Sequence, residues 1–416
     1  MKNKCFLAIA LALAVSGGVQ AKNLKAAIDR SHDLWWNAPE QPELSIALVD
    51  TAFAKPRQAQ VRVYVTADTM PGCVVFDRTF AVKAPQTLAV RVPVTAPGFY
   101  KCHVEDDGRL IAESVIGYEP ENVVSLPDAR PDFDAFWARA KAELAEVPAD
   151  YTLELLPELS GEKRNVYLCT FQSWGGDTIK AWVAMPKAPG VYPAQVYYNG
   201  YGGKPWRLDP DGRPGWIEMA TSVRGQYLSE EGNKYGDWIR HNLDKPDAYY
   251  YKGAYMDAVR AIDVLEKLPG VDRGHMFAEG GSQGGALTMA AAALADGRLR
   301  AIAPYIPFMS DFRDYFRIVR WPASAVEEAA AALGMSEEQM YDNLTYFDIK
   351  NLARRITCPV LMGIGLQDPV CPPHTNLSGY NLISAPKQLR IYPDCGHTVD
   401  YADWNPRRDA FFARWW

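Results

Sequence analysis

Residues 276–287 read Met-Phe-Ala-Glu-Gly-Gly-Ser-Gln-Gly-Gly-Ala-Leu. The run begins as a short apolar strand, passes through a G-x-S-x-G turn centred on Ser282, and continues into small residues that suit a helix. Such a turn forces the serine into strained backbone angles, so its hydroxyl stands clear of the sheet. Glycines two positions on either side let strand and helix approach closely, where a Cβ atom would clash. The stretch predicts a nucleophilic serine, although the motif alone also fits an ordinary glycine-rich turn before a helix.

Length and composition indicate a globular chain with two domains. The chain has 416 residues, which is long for a single ordinary domain. Hydrophobic residues make up 48% of it and charged residues 23%, as in globular proteins. Aromatic residues reach 12%, and these side chains serve either as stacking surfaces for sugars or as core and interface packing.

The first residues have the pattern of a secretory signal peptide. Lys2 and Lys4 precede an apolar run at 5–15, and residues 19–21 (Val-Gln-Ala) offer a small-x-small cleavage site. The apolar run is too short for a membrane anchor. We therefore expect residues 1–21 to be removed and the mature protein to be exported, to the periplasm or the medium.

The charges and cysteines predict neither a nucleic-acid partner nor a metal site. Without Lys2 and Lys4 the 44 basic residues fall to 42, against 50 acidic ones, which gives a formal charge of −8. No basic block appears, so nucleic acid is excluded as a partner. The six later cysteines match no zinc spacing: Cys73, Cys102, Cys169, Cys358, Cys371 and Cys395.

Residues 22–120 are predicted to form an all-β domain. Apolar and polar residues alternate over 61–66, and residues 106–108 (Asp-Asp-Gly) between two short strands are a strong hairpin signal. Short strands at this spacing predict a β-sandwich of immunoglobulin-like type. Cys73 and Cys102 either bridge two of its strands or are buried thiols.

Residues 121–416 alternate between strand and helix patterns after a proline-containing linker at 119–131. This alternation predicts a mostly parallel sheet with helices on both faces, the architecture of an α/β-hydrolase domain. Ligands then bind beyond the carboxyl ends of the strands. The strands are predicted at 166–171, 179–184, 194–198, 276–279, 360–364 and 389–392, and the helices at 133–144, 249–268, 286–295 and 403–416.

Residues 307–355 are rich in helix formers and are interpreted as an insertion into this pattern. An insertion at this place either covers the active site or builds oligomer contacts, and the sequence does not choose between them.

A nucleophilic serine needs a base, and the base needs an acid that orients it. In this fold the chain order is serine, acid, histidine. Only His374 and His397 follow Ser282; His397 lies just past an apolar strand, where the base belongs, whereas His374 is predicted to begin a helix. Asp368 directly follows the strand at 360–364 and is the predicted acid, the alternative being a turn or cap residue before a proline.

The oxyanion formed during acyl transfer needs two backbone N–H donors. One is predicted at Gln283, the residue after the nucleophile. The second is predicted at Tyr201, in the glycine-rich loop 199–203 that follows the strand at 194–198. The alternative for this loop is a plain glycine turn.

Three short motifs carry a resemblance to a known family: Arg-Gly-Gln at 224–226, Gly-Gly-Ser-Gln-Gly at 280–284, and His397. With them the chain resembles the acetyl xylan esterase/cephalosporin-C deacetylase family (carbohydrate esterase family 7) over residues 131–416. Longer blocks agree as well, at 131–137, 249–251, 346–348 and 368–373.

The resemblance implies hydrolytic removal of acetyl groups from short oligosaccharides, such as those derived from xylan, and from similar small esters. It implies Ser282 as nucleophile, His397 as base and Asp368 as its orienter. It also implies Tyr201 and Gln283 as oxyanion donors and no cofactor. Members of the family often assemble as closed hexameric rings, so a homo-oligomer is expected, with the Arg-Gly-Gln segment structural rather than chemical.

Two departures from the family pattern bear on this expectation. The family usually has His-Gly-Tyr where this chain has Asn199-Gly200-Tyr201, and His-Glu where it has His397-Thr398. The triad survives both changes, but pH behaviour and substrate range do not transfer directly. The additional β domain is also expected to interfere with the usual ring.

Cys371 and Cys395 each lie within three residues of a predicted triad member, so a disulfide bracing the site is a further hypothesis. Two other functions remain open from the sequence. One is a peptidase or dienelactone-type hydrolase on the same fold, and the other is a glycan-binding protein whose hydrolase domain is inactive.

Overall fold

The computed structural model describes residues 24–50, 57–232 and 234–416. The predicted signal peptide at 1–21 therefore lies outside the described residues. Within the described ranges, no helix has the length and apolar character that crossing a membrane would require.

The N-terminal region folds as a β-sandwich, as predicted. One sheet has the strand order β1–β3–β6 and the other the order β2–β8–β7–β4–β5. Neighbouring strands are antiparallel except for the short parallel pair β2–β8. The strands are β1 (Leu24–Ile28), β2 (Trp35–Trp36), β3 (Glu43–Asp50), β4 (Arg57–Ala67), β5 (Val74–Ala84), β6 (Gln86–Arg91), β7 (Gly98–Asp106) and β8 (Arg109–Tyr118).

The alternation on β4 fills the sandwich core, since Val61, Val63 and Val65 are completely buried. The predicted hairpin joins β7 to β8 through Asp107 and Gly108, whose φ angles of 50° and 74° suit a tight primed turn. Cys73 is exposed and Cys102 is buried, and both are free thiols. The two cysteines are therefore not bridged, and the alternative of buried thiols holds for Cys102 but is wrong for Cys73.

The rest of the chain surrounds one large sheet. Its elements are α1 (Phe133–Ala145), β9 (Tyr151–Leu155), β10 (Arg164–Gln172), β11 (Thr178–Pro186), β12 (Tyr192–Tyr198), β13 (Ile217–Ser222), α2 (Tyr250–Lys267), β14 (Val271–Gly281), α3 (Gln283–Leu294), β15 (Ala301–Tyr305), α4 (Phe312–Ile318), α5 (Ala323–Ala332), α6 (Glu337–Leu344), α7 (Ile349–Ala353), β16 (Val360–Gly365), α8 (Pro373–Asn381), β17 (Lys387–Tyr392) and α9 (Tyr401–Ala413).

The nine strands of this sheet follow the order β17–β16–β15–β14–β12–β13–β11–β10–β9. The pairs from β17 to β13 are parallel, whereas β11, β10 and β9 are antiparallel and form one edge. The sheet is thus mixed, because the hairpin between β10 and β11 turns the chain back on itself. The parallel part is the one that carries the predicted active-site loops at its carboxyl ends.

Helices cover both faces of the sheet. On one face, α9 places Trp404 and Phe412, both completely buried, against Phe277 of β14. On the other face, α2 and α3 pack on the sheet and α1 packs on α2. The predicted apolar stripe of α1 is buried: Phe133, Phe136, Trp137, Ala140 and Leu144. Removing a buried aromatic such as Trp404 would cost about 3–5 kcal/mol of folding free energy.

The sandwich is hydrogen-bonded to the predicted α/β-hydrolase domain, residues 121–416, which we call the hydrolase portion. The contact lies at the end of β16. Val115 of β8 pairs with the side chain of Gln367, and Asp68 contacts His374 of α8 at 3.1 Å. Asn381, the last residue of α8, donates to the carbonyl of Val123 at 2.8 Å. The domain boundary near residue 120 stays a prediction, but the two portions meet directly beside Asp368.

Candidate active site

The turn between β14 and α3 holds Ser282 in an unusual conformation, with φ 57° and ψ −122°. A non-glycine residue at positive φ is strained, and this strain projects its side chain away from the sheet. The turn is fixed by hydrogen bonds from the Ser282 N–H to the Tyr305 carbonyl at 3.1 Å and from the Phe308 N–H to the Ser282 carbonyl at 3.0 Å. A Cβ on Gly280 would clash with the Gly284 carbonyl, so this position requires glycine.

Ser282, His397 and Asp368 form one hydrogen-bonded chain. The Ser282 Oγ lies 3.0 Å from Nε2 of His397, and Nδ1 of His397 lies 2.8 Å from Oδ2 of Asp368. With an ionised carboxylate the Nδ1–H must be the donor, which leaves Nε2 free to accept the serine proton. Asp368 has a completely buried side chain, whereas that of His397 is 30% exposed and reaches the cavity.

The acid and the histidine sit on two loops that hold each other. Oδ1 of Asp368 accepts backbone N–H bonds from Val370 at 2.8 Å and Cys371 at 2.9 Å. The Gln367 N–H donates to the Cys395 carbonyl at 2.9 Å, which ties the two loops together. The orientation of the carboxylate is therefore set by backbone donors rather than by flexible side chains.

Cys371 and Cys395 are both free, so the hypothesis of a disulfide bracing the site is not supported. The Cys371 thiol is buried next to Asp368 and Ser282, and burial together with the Asp368 charge raises its pKa well above the usual value. Ligand atoms of Asp368, Cys371 and His397 lie within 4.8 Å of one another. Both ring nitrogens of His397 and both carboxylate oxygens of Asp368 already have hydrogen-bond partners in the protein, so this set does not suit a resident metal.

The loop predicted to supply the second oxyanion donor is held by its first residue. The side-chain amide of Asn199 donates to the carbonyls of Gly200 at 3.0 Å and Gly203 at 3.2 Å, and to Oε1 of Gln226 at 3.0 Å. The phenol of Tyr201 points away toward Asp237, at 3.2 Å. Asn199 thus takes over the packing of a loop in which the family usually has histidine.

The glutamine of the Arg-Gly-Gln motif connects this loop to the nucleophile turn. Nε2 of Gln226 donates to Oε1 of Gln283 at 3.0 Å, and Nε2 of Gln283 donates back to Oε1 of Gln226 at 3.1 Å. Gln226 also accepts from the Gly202 N–H at 3.1 Å, and Tyr251 donates to Gln283 at 3.1 Å. One buried amide network therefore joins the side chain of Gln283 to the loop residues on either side of Tyr201.

The arginine of the same motif is structural. Nε and Nη2 of Arg224 bond the two carboxylate oxygens of Asp257 at 2.9 and 2.6 Å, and Nη1 lies 2.7 Å from Asp177. Arg224 and Asp257 are both buried. A bidentate pair of this kind fixes the β13 end against α2 and makes no contact with the Ser282 hydroxyl.

Two cavities open on either side of the Ser282 hydroxyl. The larger, about 620 Å³, also borders His397 and has aromatic walls from Tyr201, Trp238, Phe308 and Trp321. The smaller, about 240 Å³, has among its lining residues Trp206, Glu279, Tyr305, Tyr401 and Arg408. Phe308 and Trp321 belong to the insertion at 307–355. The insertion therefore covers the site and does not serve only for contacts elsewhere.

Sequence reasoning missed three side chains that the structure places at the site. Trp238 and Trp321 wall the larger cavity, and Gln367 joins the acid loop to the sandwich. The only sequence signal for Gln367 was its place next to Asp368. Trp321 had a weaker signal, as a tryptophan in an otherwise alanine- and charge-rich insertion.

A family model described as acetyl xylan esterase (AXE1) matches residues 115–413. Acetyl esterase Axe7A of Xylanibacter ruminicola is 27% identical over 399 residues, covering 92% of this chain and 89% of that protein. An alignment that covers so much of the chain must include most of the N-terminal sandwich.

Two solved acetyl xylan esterases have similar structures. Acetyl xylan esterase 1 from Thermoanaerobacterium sp. JW/SL YS485 superposes with a TM-score of 0.67 at 27% identity, covering 72% of this chain and 98% of its own. The enzyme from Paenibacillus sp. R4 gives a TM-score of 0.66 at 31% identity, covering 71% of this chain and 98% of its own. Both therefore match a part of this chain about as long as its hydrolase portion.

Proposed function

Because the chain belongs to the acetyl xylan esterase family and is a carboxylic ester hydrolase, we propose that it deacetylates xylan-derived oligosaccharides through Ser282, His397 and Asp368. The observation that carries the residue assignment is the unbroken hydrogen-bond chain from the serine hydroxyl through the imidazole to a buried carboxylate. In this arrangement each group has one role in acyl transfer.

In the first half-reaction, Oγ of Ser282 attacks the acetyl carbonyl carbon while its proton moves to Nε2 of His397. The Oγ–C bond forms and the carbonyl oxygen becomes an oxyanion. The bond from carbon to the sugar oxygen then breaks, and that oxygen takes the proton from Nε2. The deacetylated sugar leaves, and the acetyl group remains on Ser282.

In the second half-reaction, a water molecule gives a proton to Nε2 of His397 and adds to the acetyl carbon. Oγ of Ser282 is the leaving group and recovers that proton, which releases acetate. Asp368 stays ionised throughout and stabilises the imidazolium that forms twice in each cycle.

The oxyanion of both intermediates is assigned to the backbone N–H groups of Tyr201 and Gln283. The amide network of Asn199, Gln226 and Gln283 supports this assignment, because it fixes the positions of both donors before substrate arrives. Donors that need not reorganise during the reaction are what make an oxyanion hole effective.

The larger cavity is assigned to the sugar, since its aromatic walls suit the apolar face of a pyranose ring. The family membership supports hydrolysis of an acetyl ester over the peptidase, the dienelactone-type hydrolase and the inactive glycan-binding protein. We also propose export after cleavage of residues 1–21. Assembly into a hexamer stays a prediction.

The test measures hydrolysis of p-nitrophenyl acetate and release of acetate from acetylated xylo-oligosaccharides. Ser282→Ala should lower kcat on both by on the order of 10⁴–10⁶, because the triad acts as a unit. Ser384→Ala is the matched control, since Ser384 is an exposed serine far from the cavity. Mass spectrometry of wild type mixed rapidly with substrate should detect one acetyl group on the peptide containing Ser282. Equal activity of Ser282→Ala and wild type would refute the assignment.

Activity on p-nitrophenyl acetate without acetate release from the oligosaccharides would leave the triad in place but refute the substrate class. Faster cleavage of peptide substrates than of acetyl esters would instead favour the peptidase.

A further inference from the structure

A separate groove lies between the sandwich and the hydrolase portion, next to the catalytic acid. Its volume is about 390 Å³, within the range of about 300–1,000 Å³ that small-molecule sites occupy. The sandwich supplies Arg30, Lys101 and Glu113 to it, and the insertion supplies Arg320 and Trp321. Because it draws on two portions of the chain, the complete groove does not exist in the hydrolase portion alone.

Trp321 connects the groove to the active-site cavity. Its side chain borders both the 620 Å³ cavity around Ser282 and the groove beside the sandwich. The residue is 64% exposed, so one face of a large aromatic ring is available to a ligand. A sugar chain whose acetylated unit lies over Ser282 would cross Trp321 before it reaches the sandwich, and an indole ring is a good surface for a pyranose.

Three cations and three carboxylates line the groove, and each of the carboxylates is already hydrogen-bonded to a histidine. In the described part of the chain, Lys101 and Arg320 form no ion pair, and Arg30 donates only to the Glu113 carbonyl, at 2.7 Å. The sandwich contributes two carboxylates to the groove, Asp68 and Glu113. A carboxylate oxygen of Glu113 lies 2.9 Å from Nδ1 of His103. The hydrogen bond from His103 lowers the pKa of Glu113, and the charges of Lys101 and Arg30 lower it further. Together they outweigh desolvation, which raises the pKa, so it lies below its usual value. Glu113 is therefore already bonded to His103, and it forms no direct ion pair with Lys101 or Arg320.

The other two carboxylates of the groove are also hydrogen-bonded to histidines. Asp68 is buried and bonds Nδ1 of His374 at 3.1 Å, and Asp368 bonds His397. Among the described residues, neither carboxylate forms a direct bond with Lys101 or Arg320. A neutral sugar could accept hydrogen bonds from Lys101 and Arg320 only through its hydroxyl oxygens, whereas a carboxylate on the ligand would form stronger, charge-assisted bonds with them.

We propose that this groove is a subsite for an acidic sugar branch, so that the enzyme prefers acetylated oligosaccharides that carry a uronic acid near the acetyl group. Lys101 and Arg320 bind the branch carboxylate, Trp321 stacks on the unit between branch and ester, and Ser282 attacks the acetyl carbon. The proposal rests on the deacetylation proposed above and adds a role for the sandwich: it supplies part of the specificity.

The test compares two acetylated xylo-oligosaccharides of equal length, one neutral and one with a glucuronic acid branch. The measured quantity is the ratio of kcat/KM for the acidic to the neutral substrate, with p-nitrophenyl acetate as a reference for the triad. Wild type should favour the acidic substrate, and the ratio should fall as sodium chloride is raised, because exposed charges are screened. The Lys101→Met/Arg320→Met double variant should lower the ratio roughly tenfold, mainly through KM.

Lys83→Met is the matched control, since Lys83 is an exposed lysine of the same sandwich that does not line the groove, and it should keep the wild-type ratio. A wild-type ratio near one that salt does not change would overturn the proposal, as would an unchanged ratio in the double variant. In both cases activity on the neutral oligosaccharide would show that the deacetylase function itself stands. Loss of both oligosaccharide activities in wild type, with hydrolysis of p-nitrophenyl acetate retained, would count against the substrate class instead.

Discussion

Gln367 forms two hydrogen bonds with the backbone of Val115, accepting from its N–H at 2.8 Å and donating to its carbonyl at 3.1 Å. The side-chain amide thereby acts like an additional backbone unit along β8. Because Gln367 immediately precedes Asp368, the sandwich is connected to the acid of the triad through a single peptide bond. We therefore expect the N-terminal portion to take part in orienting Asp368, the proposed catalytic acid.

Replacing Gln367 with alanine should weaken both connections. We expect a loss of about 1–3 kcal/mol of folding free energy, because the Val115 amide loses its partner in a partly buried place. A fall in kcat of roughly tenfold should accompany it, since small displacements of catalytic groups are costly. Urea unfolding and p-nitrophenyl acetate kinetics measure the two effects. Gln388→Ala, on the exposed side of β17, is the control, and an unchanged kcat in Gln367→Ala would contradict the coupling.

His374 should make stability depend on alkaline pH. Burial disfavours its charge, but the carboxylates of Asp68 and Asp314 outweigh burial and raise the pKa to about 10. Because the pKa of His374 is higher in the folded than in the unfolded chain, its protonated imidazole stabilises the fold. This stabilisation is fully present below a pH of about 6.5 and disappears as the pH rises through about 10.

The free energy of unfolding should therefore fall by on the order of 3 kcal/mol between pH 6.5 and 10 because of this group. His374→Gln should lose stability at pH 6.5 and lie closer to wild type at pH 10. His32→Gln is the control, because His32 faces Asp29 at the surface with a side chain that is 74% exposed. Parallel pH curves for His374→Gln and wild type would argue against an ion pair between the two portions.

Asn199→Asp should damage catalysis more than binding. The substitution keeps the shape but removes the donors to Gly200, Gly203 and Gln226, and it sets a carboxylate against their oxygens. The loop that carries the Tyr201 N–H would shift, and loss of one oxyanion donor costs on the order of 10²–10³ in kcat. Steady-state kinetics should show lower kcat with KM little changed. A change confined to KM would place this loop in substrate binding instead.

Asp257→Asn should destabilise the fold without altering the chemistry. It removes one of the two carboxylates that hold the buried guanidinium of Arg224, while Asp177 stays in contact, so we expect a loss of about 1–3 kcal/mol. Thermal and urea unfolding should show the loss, while kcat per folded molecule stays within about twofold at low temperature. A large fall in kcat of the folded variant would assign the Arg-Gly-Gln arginine a part in the reaction.

Thiol counting should find no disulfide among the described cysteines. All six are free in the structure, including Cys371 and Cys395 next to the triad. Wild type denatured in guanidinium should therefore give the same number of reactive thiols with and without prior reduction. A lower count without reductant would show that a bridge forms in the oxidising compartment expected for an exported protein.

The residues of the triad could be predicted from sequence because each follows the carboxyl end of a strand. Ser282, Asp368 and His397 come after β14, β16 and β17, whose apolar runs are plain in the sequence, and parallel strands bring such ends together. The assignment of Tyr201 and Gln283 as oxyanion donors rests on the same argument and stays a prediction. Local pattern was therefore sufficient wherever the function depends on the order of strands.

Other features could not be predicted because their signals are not local. β13 contains Glu218, a charged residue that argues against a buried strand unless its ion pairs with Arg164 and Arg213 are known. β15 contains Pro304, and a proline argues against a central strand. Gln367 and Val115 are 252 residues apart in sequence. Contacts of this kind form between residues that are far apart in the chain, and neither composition nor periodicity predicts them.

The backbone at Ser282 carries a further consequence for anyone who tries to make this enzyme more robust. A glycine there would adopt φ 57° without strain and would remove a penalty of about 1–3 kcal/mol. A library screened for heat resistance alone would therefore enrich molecules that have discarded their nucleophile. Thermostabilised variants must therefore be selected for retained catalytic activity, because at position 282 stability and catalysis oppose each other.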